Sequence, residues 1–249
     1  MEINGLNINY IQYGNKKGKN VILLHGWGQN TKVMDIIGKR LEKYCYITNI
    51  DFPGFGLSEE PKEALTIYEY EEIIEALLSN LKIENPILIG HSFGGRIAII
   101  YASKRKVEKL VLLAAPFRVK NKKKPSKSKV LGILKKLPIL NKYEEFFKTK
   151  IGSTDYRNAT PIMRKVLVNV VTTDLEEELT KITCPTLLIW GTYDTAVPIE
   201  EAIYAESIMK NAALIEFFHG THYAFIEQID KLIRILESFF EVDKSRRKK

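Results

Sequence analysis

The chain has 249 residues, 45% hydrophobic and 27% charged, which suits one large α/β domain with an insertion, or two small domains. No apolar run approaches the roughly 18 residues that a membrane span requires, and the start, Met1-Glu2-Ile3-Asn4-Gly5, lacks the basic and apolar stretches of a secretory signal. The net charge of +8 is uneven: residues 117–150 hold twelve Lys or Arg against two Glu, without the interleaved stacking aromatics of a nucleic-acid groove, and the body of the chain is mildly acidic.

Residues 2–14 alternate and turn at Asn4-Gly5, predicting an N-terminal β-hairpin or meander. Val21-Ile22-Leu23-Leu24 reads as a strand buried on both faces of a parallel sheet. Met34 to Tyr44 reads as a helix, and Tyr46 to Ile50 as a strand running into Asp51-Phe52-Pro53-Gly54-Phe55-Gly56. Thr66 to Leu81 is an amphipathic surface helix. Pro86 to Ile89 is a strand, Arg96 to Lys104 a helix and Leu110 to Ala115 another strand.

From Pro116 to about Thr183 the alternation stops, with no β-run and helix-like stretches such as Ile162 to Val171. It resumes with a strand at Thr186 to Trp190, a helix near Ile199 to Met209, a strand at Ala213 to Phe218 and a final helix from about Tyr223 to Phe240. The expected organisation is an α/β core over 1–115 and 184–240, a helical insertion over 116–183 and a basic tail over 241–249. Cys45 and Cys184 lie beside predicted strands and read as buried thiols, and a cytoplasmic protein is the default expectation. The run Asn121 to Lys127 reads as a solvated loop, with a docking surface for an acidic partner as the alternative.

Gly90-His91-Ser92-Phe93-Gly94-Gly95 places a serine between glycines where a strand gives way to a helix. Such a turn pushes the hydroxyl into the open and leaves the following N–H groups free at a helix N-terminus. A serine needs a base, and the chain has four histidines, all at strand ends: His25, His91, His219 and His222. His91 adjoins the serine, and neighbours on a tight turn point apart. His25 reads as a brace of its own loop. His222, after a glycine that lets the loop turn inward, is preferred over His219.

Asp194 is the only acid between the Leu187–Trp190 strand and the next helix, and completes the order Ser92, Asp194, His222. The backbone N–H groups of Phe93 and Trp27 are the expected oxyanion donors, with Gly26 and Gly28 letting the Trp27 loop fold close. Trp27, Phe93 and Phe117 are candidate pocket residues. Tyr143, Phe146, Phe147 and Tyr156 line a pocket or pack the insertion's own helices. No cofactor is expected: there is no metal-ligand spacing and no phosphate-cradling glycine loop.

The motifs Leu24-His25-Gly26-Trp27-Gly28, Asp51 to Ser58, Gly90 to Gly95, Gly191 to Asp194 and Gly220-Thr221-His222 together resemble those of α/β-hydrolase fold serine hydrolases, over nearly all of residues 1–240. The resemblance implies a mostly parallel sheet of about eight strands flanked by helices, with 116–183 as a helical cap over the pocket. Haloalkane dehalogenases and epoxide hydrolases carry aspartate at the Ser92 position, and meta-cleavage hydrolases usually carry asparagine at the His91 position. The His25–Gly28 loop is similar to that of pimeloyl-acyl-carrier-protein methyl esterases, whose acidic partner would suit a basic cap. The expected activity is hydrolysis of a small or medium carboxylic ester. The alternatives are carbon–carbon bond hydrolysis, a carrier-linked methyl ester, and a slow-turnover ligand-binding protein on the same fold.

Overall fold

The computed structural model describes residues 1–119 and 159–242. The lysine run at 121–127, the four aromatics Tyr143, Phe146, Phe147 and Tyr156, and most of the basic tail lie outside the described residues.

The N-terminal stretch splits in two. A short hairpin, β1 (Glu2–Ile3) with β2 (Leu6–Asn7), turns through Asn4 and Gly5, both at positive φ, and stands apart from the main sheet. The main sheet has seven strands: β3 (Tyr10–Gly14), β4 (Lys19–Leu24), β5 (Cys45–Ile50), β6 (Ile87–His91), β7 (Lys109–Leu113), β8 (Thr186–Gly191) and β9 (Ala212–Phe217). Their order is β3-β5-β4-β6-β7-β8-β9, with β3 antiparallel to β5 and the other pairings parallel.

The strands are short apolar runs because both faces of the sheet are covered. Successive side chains point to opposite sides, and the core divides accordingly. Ile22, Leu24, Leu88, Leu110, Leu112, Leu188 and Trp190 face one layer. Val21, Leu23, Ile87, Ile89, Val111, Leu113 and Ile189 face the other. The first layer is closed by α2 (Ile67–Asn80), α3 (Phe93–Lys104), α4 (Pro161–Thr172), α5 (Glu176–Lys181) and α6 (Ile199–Ile208). The second is closed by α1 (Thr31–Leu41), α7 (Ala224–Glu227) and α8 (Ile229–Phe239). Each fully buried Leu or Ile contributes about 1.5–3 kcal/mol, so both faces of the sheet need helices over them.

Helix boundaries follow their caps. Thr66 and Glu69 form a reciprocal capping box at the start of α2, and Thr160 caps α4 just before Pro161. The single final helix expected from Tyr223 to Phe240 is two helices. Gln228 leaves the helical region (φ −124°, ψ 44°) and its amide donates to Phe218 O at 2.9 Å. Side-chain periodicity runs through such a break without registering it. Both cysteines are free thiols, Cys45 buried and Cys184 half-buried.

The strand order reverses at β4. The chain steps from β4 outward to β5 and then back across to β6, so β4 and β6 are neighbours whose following connections go different ways. A crevice opens at such a point, outside the carboxyl ends of the strands. Leu24 lies opposite Gly90, which sets the loop after β4 beside the turn after β6.

Candidate active site

Ser92 sits on that turn at φ 48° and ψ −107°, a backbone conformation that side-chain-bearing residues rarely adopt. Its N–H is held by Leu113 O at 2.9 Å, and α3 begins at the next residue. The flanking glycines are a packing requirement. A Cβ on Gly90 would meet Gly94 O at 2.6 Å, and one on Gly94 would run into the backbone of Leu24. Close passage of backbone against backbone holds the strained turn in place.

Gly94 N–H donates to His25 O at 3.0 Å and so fastens the loop after β4 to the start of α3. Neither Phe93 N–H nor Trp27 N–H gives a hydrogen bond to any described residue. The Trp27 ring meets Phe55 and Phe93 edge-on, at 4.9 and 5.5 Å between centroids, and makes an apolar wall beside the serine turn.

Asp194, 5% exposed, follows β8. Its Oδ1 accepts the N–H groups of Ala196 (2.9 Å) and Val197 (2.8 Å), leaving Oδ2 for His222 Nδ1 at 2.8 Å. The loop that carries His222 is pinned at its own base. Thr221 donates from N and Oγ1 to the Glu227 carboxylate, and Tyr193 N–H donates to Gly220 O at 2.8 Å.

The other histidines are placed differently. His25 is fully buried, accepts Phe52 N–H at Nε2 (3.1 Å) and lies 2.7 Å from Gly26 O through Nδ1. With one nitrogen accepting and the other facing a carbonyl, it is a neutral brace between two loops. Burial lowers its pKa to about 4. His219 is exposed at positive φ, its ring 5.0 Å from that of Tyr193. His91 is buried, with Nε2 3.2 Å from His222 O and Nδ1 3.2 Å from Gln29 Oε1.

Thus Ser92, Asp194, His222, Trp27 and Phe93 occupy one end of the sheet, on loops after β4, β6, β8 and β9. Phe117 is 1% exposed and stacked on Tyr204, a packing position in the core. Sequence reasoning passed over Gln29. Its Oε1 accepts Gly26 N–H at 2.9 Å beside His91, and its only signal is its position directly after the glycine loop. It also passed over Arg96, whose guanidinium donates to Pro116 O (2.9 Å), Val170 O (2.8 Å) and Thr173 O (2.5 Å). These contacts join α3 to the segment after β7 and to the C-terminal end of α4. Among the described residues no group of His, Cys, Asp and Glu could hold a metal ion.

A doubly covered parallel sheet, a strained serine turn at its switch point and an Asp–His pair on later loops define an α/β enzyme of hydrolase architecture. The chain belongs to the alpha/beta hydrolase fold family, whose model matches residues 19–153. It is 27% identical over 248 residues to the AB hydrolase superfamily protein YisY of Bacillus subtilis, covering 89% of this chain and 91% of that one. It is 25% identical over 254 residues to a pimeloyl-[acyl-carrier protein] methyl ester esterase of Aliivibrio fischeri, covering 90% and 94%. A bromoperoxidase from Bacillus anthracis superposes with a TM-score of 0.76 at 23% identity, over 95% of this chain and 96% of that one, a likeness of fold. No described helix is long and apolar enough to cross a membrane.

Proposed function

We propose that this α/β hydrolase cleaves a small or medium carboxylic ester through an acyl-enzyme on Ser92. The observation that carries the reading is the 2.8 Å contact between His222 Nδ1 and Asp194 Oδ2, on loops at the same sheet end as the strained Ser92 turn. His222 Nε2 takes the Ser92 proton as Oγ attacks the carbonyl, and Asp194 fixes the ring and stabilises its charged form. The free N–H groups of Trp27 and Phe93 receive the developing oxyanion. The alcohol leaves with the proton from His222, and water, activated by the same imidazole, releases the acid. The apolar wall of Trp27, Phe55 and Phe93 suits the acyl chain. Residues 116–183 act as the cap, in a protein of the cytoplasm.

A second reading draws on the relatives named pimeloyl-[acyl-carrier protein] methyl ester esterases, together with the basic stretch over 117–150. In that reading the acyl group arrives on an acidic carrier protein.

The test is hydrolysis of p-nitrophenyl esters from acetate to octanoate, with Ser92→Ala as control. Turnover that depends on Ser92 and has a chain-length optimum supports the esterase. Turnover that survives Ser92→Ala overturns the mechanism. A methyl ester hydrolysed only when carrier-bound favours the second reading.

A further inference from the structure

His91 is buried where three loops meet, and acyl transfer makes no use of it. Its Nδ1 faces Gln29 Oε1 and its Nε2 faces His222 O, each at 3.2 Å. Its ring packs against Phe225, His222 and Tyr223, at 4.6, 4.9 and 5.4 Å between centroids, so it has no room to turn away. Burial, reinforced by the neighbouring His222, lowers its pKa to about 3, so at neutral pH it carries one N–H for two facing oxygens.

The two oxygens are not equivalent. Gln29 Oε1 already accepts Gly26 N–H at 2.9 Å. His222 O receives no other hydrogen bond from the described residues. A proton on Nε2 gives His222 O its one donor among the described residues, whereas a proton on Nδ1 would add a second donor to Gln29 Oε1.

We propose that His91 is a positioning residue: its Nε2–H, donated to the His222 carbonyl, fixes the base loop against the serine turn and sets the reach of the His222 imidazole toward Ser92. The proposal rests on the reading of His222 as the base. Its physical basis is the steep dependence of rate on placement, where a displacement of about 1 Å costs up to 10²-fold.

Three substitutions separate the alternatives. In His91→Gln the side-chain amide nitrogen can reach the Nε2 position. In His91→Asn it reaches only the Nδ1 position, toward Gln29. His91→Leu offers neither donor. The readouts are kcat and KM on p-nitrophenyl acetate, the rate of fluorophosphonate labelling of Ser92, and a thermal melt.

The expected result is a loss of roughly 10-fold or more in kcat for His91→Leu and His91→Asn with KM nearly unchanged, and recovery of most of it in His91→Gln. Equal behaviour of the Gln and Asn variants, or a Leu variant within about two-fold of wild type, overturns the proposal. Should all three variants fail to fold, the ¹⁵N shifts of wild-type His91 decide: protonated Nε2 supports the assignment, and protonated Nδ1 overturns it. Should wild type turn over no ester yet label at Ser92, the labelling rate replaces kcat with the same expectations. Failure to label is a failure of the functional reading, and the ¹⁵N tautomer then decides the hydrogen bond by itself.

Discussion

His222 Nδ1 lies 2.8 Å from Asp194 Oδ2, and the other carboxylate oxygen is occupied by two backbone N–H groups. The carboxylate is thereby held in one rotamer with one lone-pair edge aimed at the ring. Asp194→Asn keeps the shape but places an amide where an acceptor is needed, which favours the wrong imidazole tautomer. Its kcat is expected to fall roughly 10³–10⁴-fold with KM little changed, on the esters that wild type cleaves best. A drop under about ten-fold would remove Asp194 from the mechanism.

The Ser92 turn stores strain that the proposed acyl transfer uses and stability does not need. Ser92→Gly relieves the positive φ of 48° and Ser92→Ala retains it. Both variants are expected to be inactive, and the Gly variant to be the more stable by about 1–2 kcal/mol, a rise of a few degrees in Tm. Paired calorimetric scans check this, and equal melting points would show that the turn is not strained.

Gly94 has no room for a side chain, because the obstacle is the backbone of Leu24 and His25. Gly94→Ala must push the loop after β4 away from α3 and break the Gly94 N–H to His25 O hydrogen bond. Ester hydrolysis is expected to fall about 10²-fold or more, with a lowered denaturant midpoint. A variant with wild-type activity would place the Trp27 N–H outside the reaction.

Buried neutral histidines make stability fall with acid. His25 has its pKa lowered to about 4, chiefly by burial, and His91 to about 3. Above pH 6.5 both are neutral folded or unfolded and contribute no pH dependence. As pH falls below 6.5 the unfolded chain binds protons that the folded chain refuses, so each histidine favours unfolding, until the folded pKa is reached. By pH 4 the effect is on the order of 2–3 kcal/mol for each. Melting temperature is expected to decline more gently between pH 6.5 and 4 in His91→Gln than in wild type. Parallel slopes would mean that His91 is already charged or exposed.

Arg96 is a buried cation that serves three carbonyls, those of Pro116, Val170 and Thr173. Arg96→Met removes the charge and leaves those carbonyls without their donor, at a cost of about 2–4 kcal/mol. Urea titration measures the loss. Arg96→Lys, with fewer donors and no planar fork, is expected to recover only part of it.

The α/β rhythm, the serine turn and the order Ser92, Asp194, His222 were legible because each has a local cause. Apolar runs of four to six residues, the glycine two before Ser92 and a lone acid after a strand depend on contacts within a few residues of chain. Gly94, whose obstacle is the distant backbone of Leu24, is legible only through its spacing from Ser92. The sequence by itself also marked His25 as a brace, since a histidine between a strand and a glycine loop has little else to reach. It could not count the main-sheet strands or locate the break at Gln228. Those depend on Asn4 and Gly5 turning the first hairpin away, and on Phe218 O lying within reach of a distant amide. The roles of Gln29, His91 and Arg96 were invisible for the same reason. Each acts through groups on residues remote in the chain, brought together because β4 and β6 are neighbours and α3 starts where their loops meet. Local chemistry chose the candidate reactive side chains, and only the crossing of the chain at β4 decided what holds them in place.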